Sequence, residues 1–446
     1  MVKTQCLQAF GVFLLSVLLF SCSPSSTGIF SKKTPHERYA QGLATAGLTN
    51  TALGRSWLEA AEKSLRSPLD VKLPYQEAGY FAAEKPAAGG IRFQVTRGEK
   101  LTIALEKNPS SGFSIYLDLW QAAESEGGRS KLLIAADSAA DTLQYTVKEN
   151  AMLTLRLQPE LLQSGDYNLR ISTGPSLAFP IPSRIKSSVA SLWGVDRDGG
   201  ARRHEGIDIF APFRSPAIAA GNGIVSRVNE NNLGGKVVFL RLEESNVTLY
   251  YAHLDSQIAR PGQMVQTGDT LGLTGNTGNA RSTPSHLHFG IYTSGGAIDP
   301  YPFVNQTRKL PAKITASTSL LNKQARTTRK LNGLLTSIGG KTTATLPLEV
   351  NSVVTITAAT ENWYKVTLPD GSAGFISNKD LTLADRPLRK QLLKAGQPLL
   401  DRSDSTAARK LVLSEGSQVS VLGRFNDYYL VETSAQERGW LPANVL

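Results

Sequence analysis

The sequence predicts a mainly β protein built from several domains, and three observations support this prediction. At 446 residues the chain is too long for one typical domain. Its 39 glycines and 22 prolines, with 41% hydrophobic residues, suit β-rich architecture with many turns. Apolar and polar residues alternate in most of the chain, which is the period of a half-buried strand. We therefore expect an N-terminal helical segment, a β-sandwich, a β-rich domain that carries most of the histidines, and two small C-terminal β-barrels.

The N-terminus predicts an export signal over residues 1–21. A lysine precedes the apolar run "CLQAFGVFLLSVLLF", which has the length of a signal peptide. Leu19 to Cys22 resembles a lipobox, where bacterial lipoproteins are cleaved and lipidated, although Phe20 is bulkier than usual there. The resemblance implies a chain anchored to a membrane through a lipid on Cys22, in the cell envelope and facing the periplasm or the exterior. Ordinary secretion is the alternative. Loss of Cys6 with the signal would leave no thiol for a disulfide.

The charge is +11 overall and is concentrated towards the C-terminus. Residues 301–446 hold 19 Lys and Arg against 11 Asp and Glu, and the segment 308–330 contains no acidic residue. A basic tail favours polyanionic partners, which in an exported protein are cell-wall polymers or anionic lipid head groups rather than nucleic acid. A solvated linker explains the same segment equally well. The sequence predicts no protein partner.

The residues between the signal and the histidines predict two structural units. Residues 22–85 read as a polar tether followed by a helical segment from about Pro35 to Leu65, with Thr34 at the helix start. Residues 86–178 contain about seven alternating segments separated by turns such as "NPSSG", which predicts the β-sandwich. This part resembles the small sandwich modules appended to secreted bacterial proteases. It contains no histidine and no acidic cluster, so we assign it no chemistry.

The C-terminal part contains an internal repeat with an offset of 65 residues. Trp363-Tyr364 matches Tyr428-Tyr429, and Gly374-Phe375 matches Gly439-Trp440. Repeated alternation with the same aromatic positions predicts two small barrels of one design. The pattern resembles the bacterial Src-homology-3-like domain, a frequent companion of cell-wall enzymes. The first domain, with its basic linker, would span 306–383 and the second 384–446.

Four of the five histidines fall in three short motifs. The first is His204-x-x-x-Asp208, where Gly206 and the β-branched neighbours of Asp208 disfavour a helix, so the pair should lie where a loop enters a strand. The second is His286-x-His288, whose side chains share one face of a strand.

The third motif is the single histidine in "LYYAHLD". Strict alternation places His253 on the same face as Tyr251. The fifth histidine, His36, has no partner pattern around it.

Together the motifs predict a metal site with catalytic partners. Imidazole nitrogen and carboxylate oxygen are both zinc donors, and a hydrolase that activates water on zinc needs three ligands and additional proton-transfer groups. A competing interpretation starts from "HEGID" as a helical H-E-x-x-H motif with Glu205 as general base. Asp208 stands where the second histidine is required, and Gly206 disfavours the helix.

The order and flanks of these motifs resemble the lysostaphin-type zinc endopeptidases, the LytM-domain family, over residues 183–305. The matching segments are "RRHEGIDI", "AAGNGIVSRV", "YYAHLD", "PGQMVQTGDTLGLTGNTG" and "HLHFGI". The resemblance implies a β-rich peptidase domain with Zn²⁺ as cofactor. It implies that the metal ligands are His204, Asp208 and His288, and that the catalytic pair is His253 and His286.

The same resemblance implies hydrolysis of the peptide cross-links of bacterial peptidoglycan. The chain departs from the family at Gly290, where an acidic residue is frequent, and at Pro284-Ser285, where the family has a small glycine-rich lead. These departures concern substrate specificity more than activity. Two alternatives remain: a non-catalytic LytM-type lipoprotein that binds cell wall and activates another hydrolase, and an adhesive wall-binding lipoprotein in which the barrels dominate.

Overall fold

The computed structural model describes residues 33–445, except 124–127, 129, 138–140, 244 and 340–343. The predicted signal peptide and Cys22 lie outside the described residues. Strands predominate over helices in this part of the chain, so the predicted mainly β class is confirmed. Among the described helices, none is both long enough and apolar enough to cross a bilayer.

The helical segment forms two helices that pack on the sandwich, α1 (Pro35–Thr45) and α2 (Ala52–Arg66). Thr34 caps α1 as predicted: its hydroxyl accepts from the Glu37 amide at 3.1 Å, and the Glu37 carboxylate accepts from the Thr34 amide at 2.8 Å. Trp57 of α2 is buried, and its indole N–H donates to the Pro159 carbonyl at 2.8 Å. This hydrogen bond satisfies the polar edge of an otherwise apolar contact.

Nine strands build a sandwich of two facing sheets. They are β1 (Leu69–Asp70), β2 (Tyr75–Phe81), β3 (Gly89–Val95), β4 (Glu99–Asn108), β5 (Ile115–Gln121), β6 (Lys131–Ala135), β7 (Thr142–Thr146), β8 (Ala151–Pro159) and β9 (Gly165–Pro175). One sheet has the order β1-β3-β8-β5-β6, and the other contains β2-β9-β4-β7. Alternate residues of both sheets, among them Phe93, Leu119, Ile103 and Ile171, form one shared core.

The histidine-bearing unit consists of one large antiparallel sheet and a separate two-stranded sheet. Its elements are β10 (Ser188–Ser191), β11 (Asp196–Arg197), β12 (Arg202–Arg203), β13 (Ile207–Phe210), β14 (Pro216–Ile218), β15 (Gly223–Asn231), β16 (Gly235–Leu242), β17 (Thr248–Gln257), β18 (Met264–Val265), β19 (Thr270–Thr274), β20 (His286–Thr293), β21 (Gly296–Ile298) and α3 (Tyr301–Val304). The main order is β10-β13-β20-β17-β16-β15-β18. One face packs a core around Ile209, Leu240 and Phe289. The opposite face carries the histidines.

The C-terminal part contains the repeat as two strand groups. They are β22 (Gln324–Thr327), β23 (Val353–Thr360), β24 (Trp363–Thr367), β25 (Ala373–Ser377) and β26 (Leu381–Leu383), then β27 (Arg389–Leu392), β28 (Gln397–Leu400), β29 (Arg409–Leu413), β30 (Gln418–Phe425), β31 (Tyr428–Thr433) and β32 (Arg438–Pro442). The hairpins β23–β25 and β30–β32 correspond, as the repeat predicts. Neither group closes into a barrel. In the first group, part of one edge of β23 pairs with β2 of the sandwich rather than with another strand of its own group. The basic segment 308–330 contains β22, so it is not only a linker.

The sandwich and the first C-terminal group share a continuous sheet and a buried ion pair. Ala78 and Gly79 pair with Ala359 and Ala358 across β2 and β23. The neighbouring Glu77 is 1% exposed, and its carboxylate accepts two hydrogen bonds from the Lys365 ammonium group, at 2.7 and 2.8 Å.

Two tyrosines complete the surroundings of this carboxylate. The hydroxyl groups of Tyr75 and Tyr167 donate to it at 2.7 and 2.8 Å. Burial, followed by the charge of Glu77, raises the pKa of both tyrosines well above the ordinary value, so both remain donors. The buried charge is therefore paired and fully hydrogen-bonded, as a buried charge requires.

The substitution Lys365→Met is expected to destabilise the protein by about 3–5 kcal/mol, because it leaves the Glu77 carboxylate buried without its cation. Denaturant unfolding followed by far-UV circular dichroism measures the change. Lys330→Met is the matched control, since its ion pair with Glu349 is exposed and contributes about 0–1 kcal/mol. Adding Glu77→Gln to Lys365→Met should recover part of the loss. Equal stability of the two lysine variants would contradict the prediction.

The histidine-bearing unit is inserted between these joined parts. Its two ends meet: the amide of Leu177 donates to the carbonyl of Phe303 at 2.9 Å. The Phe303 ring also packs closely on the sandwich. A Cβ added to Gly98 would stand only 2.3 Å from the nearest atom of this ring. Gly98 has a φ of +93°, so glycine is required there for both space and conformation.

Candidate metal centre

Strand pairing brings the two ends of the histidine pattern together. Asp208 on β13 lies directly opposite His288 on β20, although they are eighty residues apart in sequence. His204 precedes β13 in a loop whose backbone pairs with Gly194 and Val195. The predicted loop-to-strand placement of the His204–Asp208 motif is therefore confirmed.

Three side-chain donors converge at one point. The Nε2 atom of His204, the Nδ1 atom of His288 and the Oδ1 atom of Asp208 lie 3.0 Å from one another in each pairing. They are a possible metal-binding group of two imidazoles and one carboxylate, with all donor atoms within 4.8 Å. Catalytic zinc sites use three nitrogen or oxygen donors of this kind from the protein and keep a fourth coordination position for water or substrate.

The hydrogen bonds around these donors fix their chemical form. The Nδ1–H of His204 donates to the Leu192 carbonyl at 2.9 Å, which leaves the Nε2 lone pair facing the cluster. The second carboxylate oxygen of Asp208 accepts from the Arg197 guanidinium at 2.6 Å. Burial alone would raise the pKa of Asp208, but the neighbouring His204 and His288 rings hold it far below its usual range. The carboxylate is therefore ionised at neutral pH, as a metal ligand must be.

Gly206 provides the space in which His288 lies. A Cβ at this position would stand 2.6 Å from Nε2 of His288 and 2.6 Å from the Phe289 carbonyl oxygen. The motif is therefore constrained at Gly206, which lies between the two candidate metal ligands, as well as at those ligands.

Gly206→Ala is expected to displace His288 and to lower zinc affinity by about 10–100-fold, the range seen when groups that orient a ligand are changed. Zinc affinity is measured by competition with a chromogenic chelator. Gly295→Ala is the control in the same domain, because its Cβ would meet nothing closer than 3.8 Å. Unchanged affinity in Gly206→Ala would contradict this assignment.

The other two histidines face the same cleft beside the donor cluster. The rings of His253 and His286 are 4.9 Å apart, and Nε2 of His286 lies 4.0 Å from Oδ1 of Asp208. The Nδ1–H of His253 donates to the Thr277 carbonyl at 2.8 Å, and that of His286 donates to the Pro284 carbonyl at 2.9 Å. Both rings therefore keep a free lone pair on Nε2.

Burial lowers the pKa of His253 to about 4, and the neighbouring His288 and His286 add to the effect. His253 is consequently neutral at pH 7, because this pH is well above the pKa of its ring. A neutral imidazole with a free Nε2 can accept a proton.

The predicted face of His253 is wrong. Tyr251 points into the core and its hydroxyl accepts from the Ala220 amide at 2.9 Å, whereas His253 lines the cleft together with Tyr250. The cause is a bulge in the pairing of β17 with β16, and His253 itself has a φ of +61°. A bulge adds one residue to a strand and reverses the alternation beyond it. The predicted shared face of His286 and His288 is confirmed, since both line the cleft.

The cleft has a volume of about 980 Å³ and contains residues that the motifs did not indicate. Phe210 stacks on His286 at 5.0 Å, and Tyr250 meets His288 edge-on at 5.9 Å. Arg197 comes from a short strand with no distinctive spacing, so no sequence pattern indicates its contact with Asp208. Among the described residues, all those that line the cleft lie between Ala190 and Tyr292.

His36 takes no part in this site. It lies on α1, where its ring stacks on Trp57 at 4.7 Å and its Nε2 hydrogen-bonds with the Gln158 amide oxygen at 2.7 Å. Burial lowers its pKa, so it is a neutral core histidine.

Comparison with known proteins assigns a class to this part of the chain. Residues 202–300 match the model of peptidase family M23. The fold, the donor cluster and this match together support an M23 domain of the LytM type here.

Relatives match over the same part. The chain is 37% identical over 137 residues to the L-Ala--D-Glu endopeptidase of Bacillus subtilis, which is 28% of this chain and 42% of that protein. It is 35% identical over 97 residues to the peptidoglycan DD-endopeptidase ShyC of Vibrio cholerae, covering 22% of each. It is 37% identical over 108 residues to the lipoprotein YgeR of Escherichia coli, covering 24% of this chain and 40% of that protein. The chain thus spans less than half the length of these relatives.

Proposed function

We propose that the domain at residues 183–305 is a zinc-dependent endopeptidase that hydrolyses peptide cross-links of bacterial peptidoglycan. The observation that carries this proposal is the convergence of His204, Asp208 and His288 on one point, with His253 and His286 beside them in one cleft. Relatives named as peptidoglycan and peptide endopeptidases support the choice of substrate.

In this proposal three residues hold the metal and two act on the substrate. His204, through Nε2, His288, through Nδ1, and Asp208, through Oδ1, are the ligands. Zinc, when bound, supplies Lewis acidity, which lowers the pKa of water from about 15.7 to about 7 and polarises a carbonyl group. Arg197 fixes the second oxygen of Asp208, so the carboxylate presents one oxygen to the metal.

His253 and His286 divide the proton transfers between them. Because its pKa is about 4, His253 is neutral at pH 7 and can accept the proton of the attacking water at Nε2. It then returns this proton to the amine nitrogen that leaves as the peptide C–N bond breaks. His286, held through Nδ1 by the Pro284 carbonyl, directs Nε2 into the cleft. When protonated there, it donates to the carbonyl oxygen of the substrate as negative charge develops on that atom.

A non-catalytic M23 domain that activates another hydrolase is the second candidate. Such a role requires none of the five side chains, whereas all five are present and face one cleft. No described residue of the sandwich or the C-terminal groups lines that cleft, so the described portions of these parts leave it open. The catalytic role therefore explains more of the structure.

Incubation of the zinc-loaded full chain with defined cross-linked muropeptides, followed by mass spectrometry, tests the proposal. We expect fragments from hydrolysis of one peptide bond, their disappearance with a chelator, and their return on addition of zinc. Mass spectrometry also identifies the bond. Binding to sacculi without any released fragment, at full zinc occupancy, would favour the non-catalytic role.

We also propose that a lipid on Cys22 holds the chain in the cell envelope, attached to a membrane. The lipobox-like segment supports this, and the relative YgeR is named a lipoprotein. Cys22→Ser should move the chain from the detergent phase to the aqueous phase in a phase-separation assay. An unchanged distribution would contradict lipid anchoring.

A further inference from the structure

A row of side chains crosses the floor of the cleft, away from the metal centre. Strand register places Gly290 of β20 opposite Tyr250 of β17, Tyr250 opposite Phe239 of β16, and Phe239 opposite Arg227 of β15. Residues paired directly across an antiparallel sheet stand side by side on one face. The row therefore connects the strand of His288 with the far side of the cleft.

Ring contacts join the members of this row. The guanidinium carbon of Arg227 lies 4.0 Å from the centre of the Phe239 ring, and the Phe239 and Tyr250 rings are 4.8 Å apart. Tyr250 in turn meets His288 at 5.9 Å. Gly290 has no side chain, so the row begins with an open position on β20. A Cβ there would stand 3.1 Å from the Tyr292 ring.

Arg227 carries a positive charge that lacks an ion-pair partner within the described part of the chain. No carboxylate of the described residues forms an ion pair with it, and its side chain is exposed at the cleft wall. Arg197, which also lines this cleft, is paired with Asp208. The Phe239 ring supports the flat face of the Arg227 guanidinium by a cation–π contact, which leaves its N–H edge available. A planar fork of N–H donors is suited to bidentate recognition of a carboxylate.

The distance along the row gives the length of substrate that would reach Arg227. Arg227 lies three strands from His288, and neighbouring strands are about 4.8 Å apart, so the separation is about 14 Å. An extended peptide covers about 3.3–3.6 Å per residue, so about four residues fit between the metal centre and Arg227.

We propose that Arg227, held on Phe239, is a specificity-determining residue that binds a free carboxylate of the peptide substrate, about four residues from the bond that is cleaved. This inference rests on the proposed function, because it names the substrate class of the same cleft. The carboxylate is either the C-terminus of the peptide or an internal free carboxylate. Both have the chemistry that an unpaired arginine recognises.

Two measurements on the full chain test this. The first is hydrolysis by the zinc-loaded protein of matched synthetic peptides with the carboxylate free or amidated, at the C-terminus in one pair and internally in the other. Arg227→Gln should raise KM for one free-acid peptide by about tenfold or more with kcat nearly unchanged, since a hydrogen bond to a charged group is lost. The peptide pair that responds identifies the source of the carboxylate.

The same substitution should leave hydrolysis of the amidated partner unchanged. Arg260→Gln is the control for net charge, because Arg260 is exposed in the same domain and does not line the cleft. If Arg227→Gln affects acid and amide alike, or affects neither, the inference is wrong.

The second measurement is the Kd of the same peptides for the chelator-treated chain, by calorimetry. Tighter binding of one acid than of its amide, by about tenfold and dependent on Arg227, supports the inference even if no peptide is hydrolysed. In that outcome the proposed function fails while the carboxylate site stands. Equal Kd values for acid and amide in the unsubstituted chain would overturn the site, whether or not hydrolysis occurs.

Discussion

Asp208→Asn is expected to abolish stoichiometric zinc binding and, with it, hydrolysis of cross-linked peptides. Asp208 contacts both histidines that we propose as ligands. Loss of its charge leaves their donor atoms 3.0 Å apart with no anion between the cluster and Arg197. We expect zinc affinity to fall by at least about 100-fold, since changes to groups that merely orient ligands cost about 10–100-fold. Zinc per chain, measured by plasma mass spectrometry after dialysis, checks this.

The matched control is Asp255→Asn. Asp255 lies in the same domain and pairs with Arg214 at 2.7 Å, but it does not line the cleft. It should keep zinc and activity. His204→Ala should behave like Asp208→Asn. Zinc retained at one ion per chain without His204 or Asp208 would refute the ligand assignment.

His253→Ala and His286→Ala are expected to keep zinc and lose most turnover. Their Nε2 atoms face the cleft, and their Nδ1 atoms are bound to backbone carbonyls, so neither is needed to hold the metal in the proposed arrangement. General acid–base groups contribute about 10²–10⁴-fold to rate, and we expect kcat to fall within that range for each variant. Muropeptide release and zinc content are measured on the same samples.

The double variant separates a shared role from two independent ones. If both rings act in one proton transfer, removing the second should cost little beyond the first. Loss of zinc from His253→Ala would instead place that ring among the ligands, and would contradict the division of roles. Full activity in either single variant would remove that residue from the mechanism.

The sequence predicted the elements of the site better than its geometry. Spacing of two along a strand placed His286 and His288 on one face because side-chain alternation is a local property of extended backbone. The pairing of Asp208 with His288 depends on which strands become neighbours, and no local pattern encodes that register. Resemblance to a family supplied this link before the structure did.

The two wrong predictions, the face of His253 and the closure of the barrels, also have physical causes. The predicted face of His253 is wrong because its positive φ and the bulge beside it interrupt the alternation. Neither feature occurs at a glycine, so no residue type in the sequence indicates the interruption. The first C-terminal group does not close into the predicted barrel because part of β23 pairs with β2, a contact between segments almost three hundred residues apart. The repeat defines which strands correspond. It contains no information about a partner outside itself.

The meeting of Leu177 with Phe303 has a consequence for how this protein could be altered. The chain enters and leaves the cleft-bearing domain at one hydrogen-bonded junction. The sandwich and the first C-terminal group pair directly through β2 and β23, without a contribution from that domain. Adjacent ends are the condition under which one domain can be exchanged within another. The cleft-bearing domain can therefore be replaced by a different domain at this junction while the sandwich and the first C-terminal group are kept.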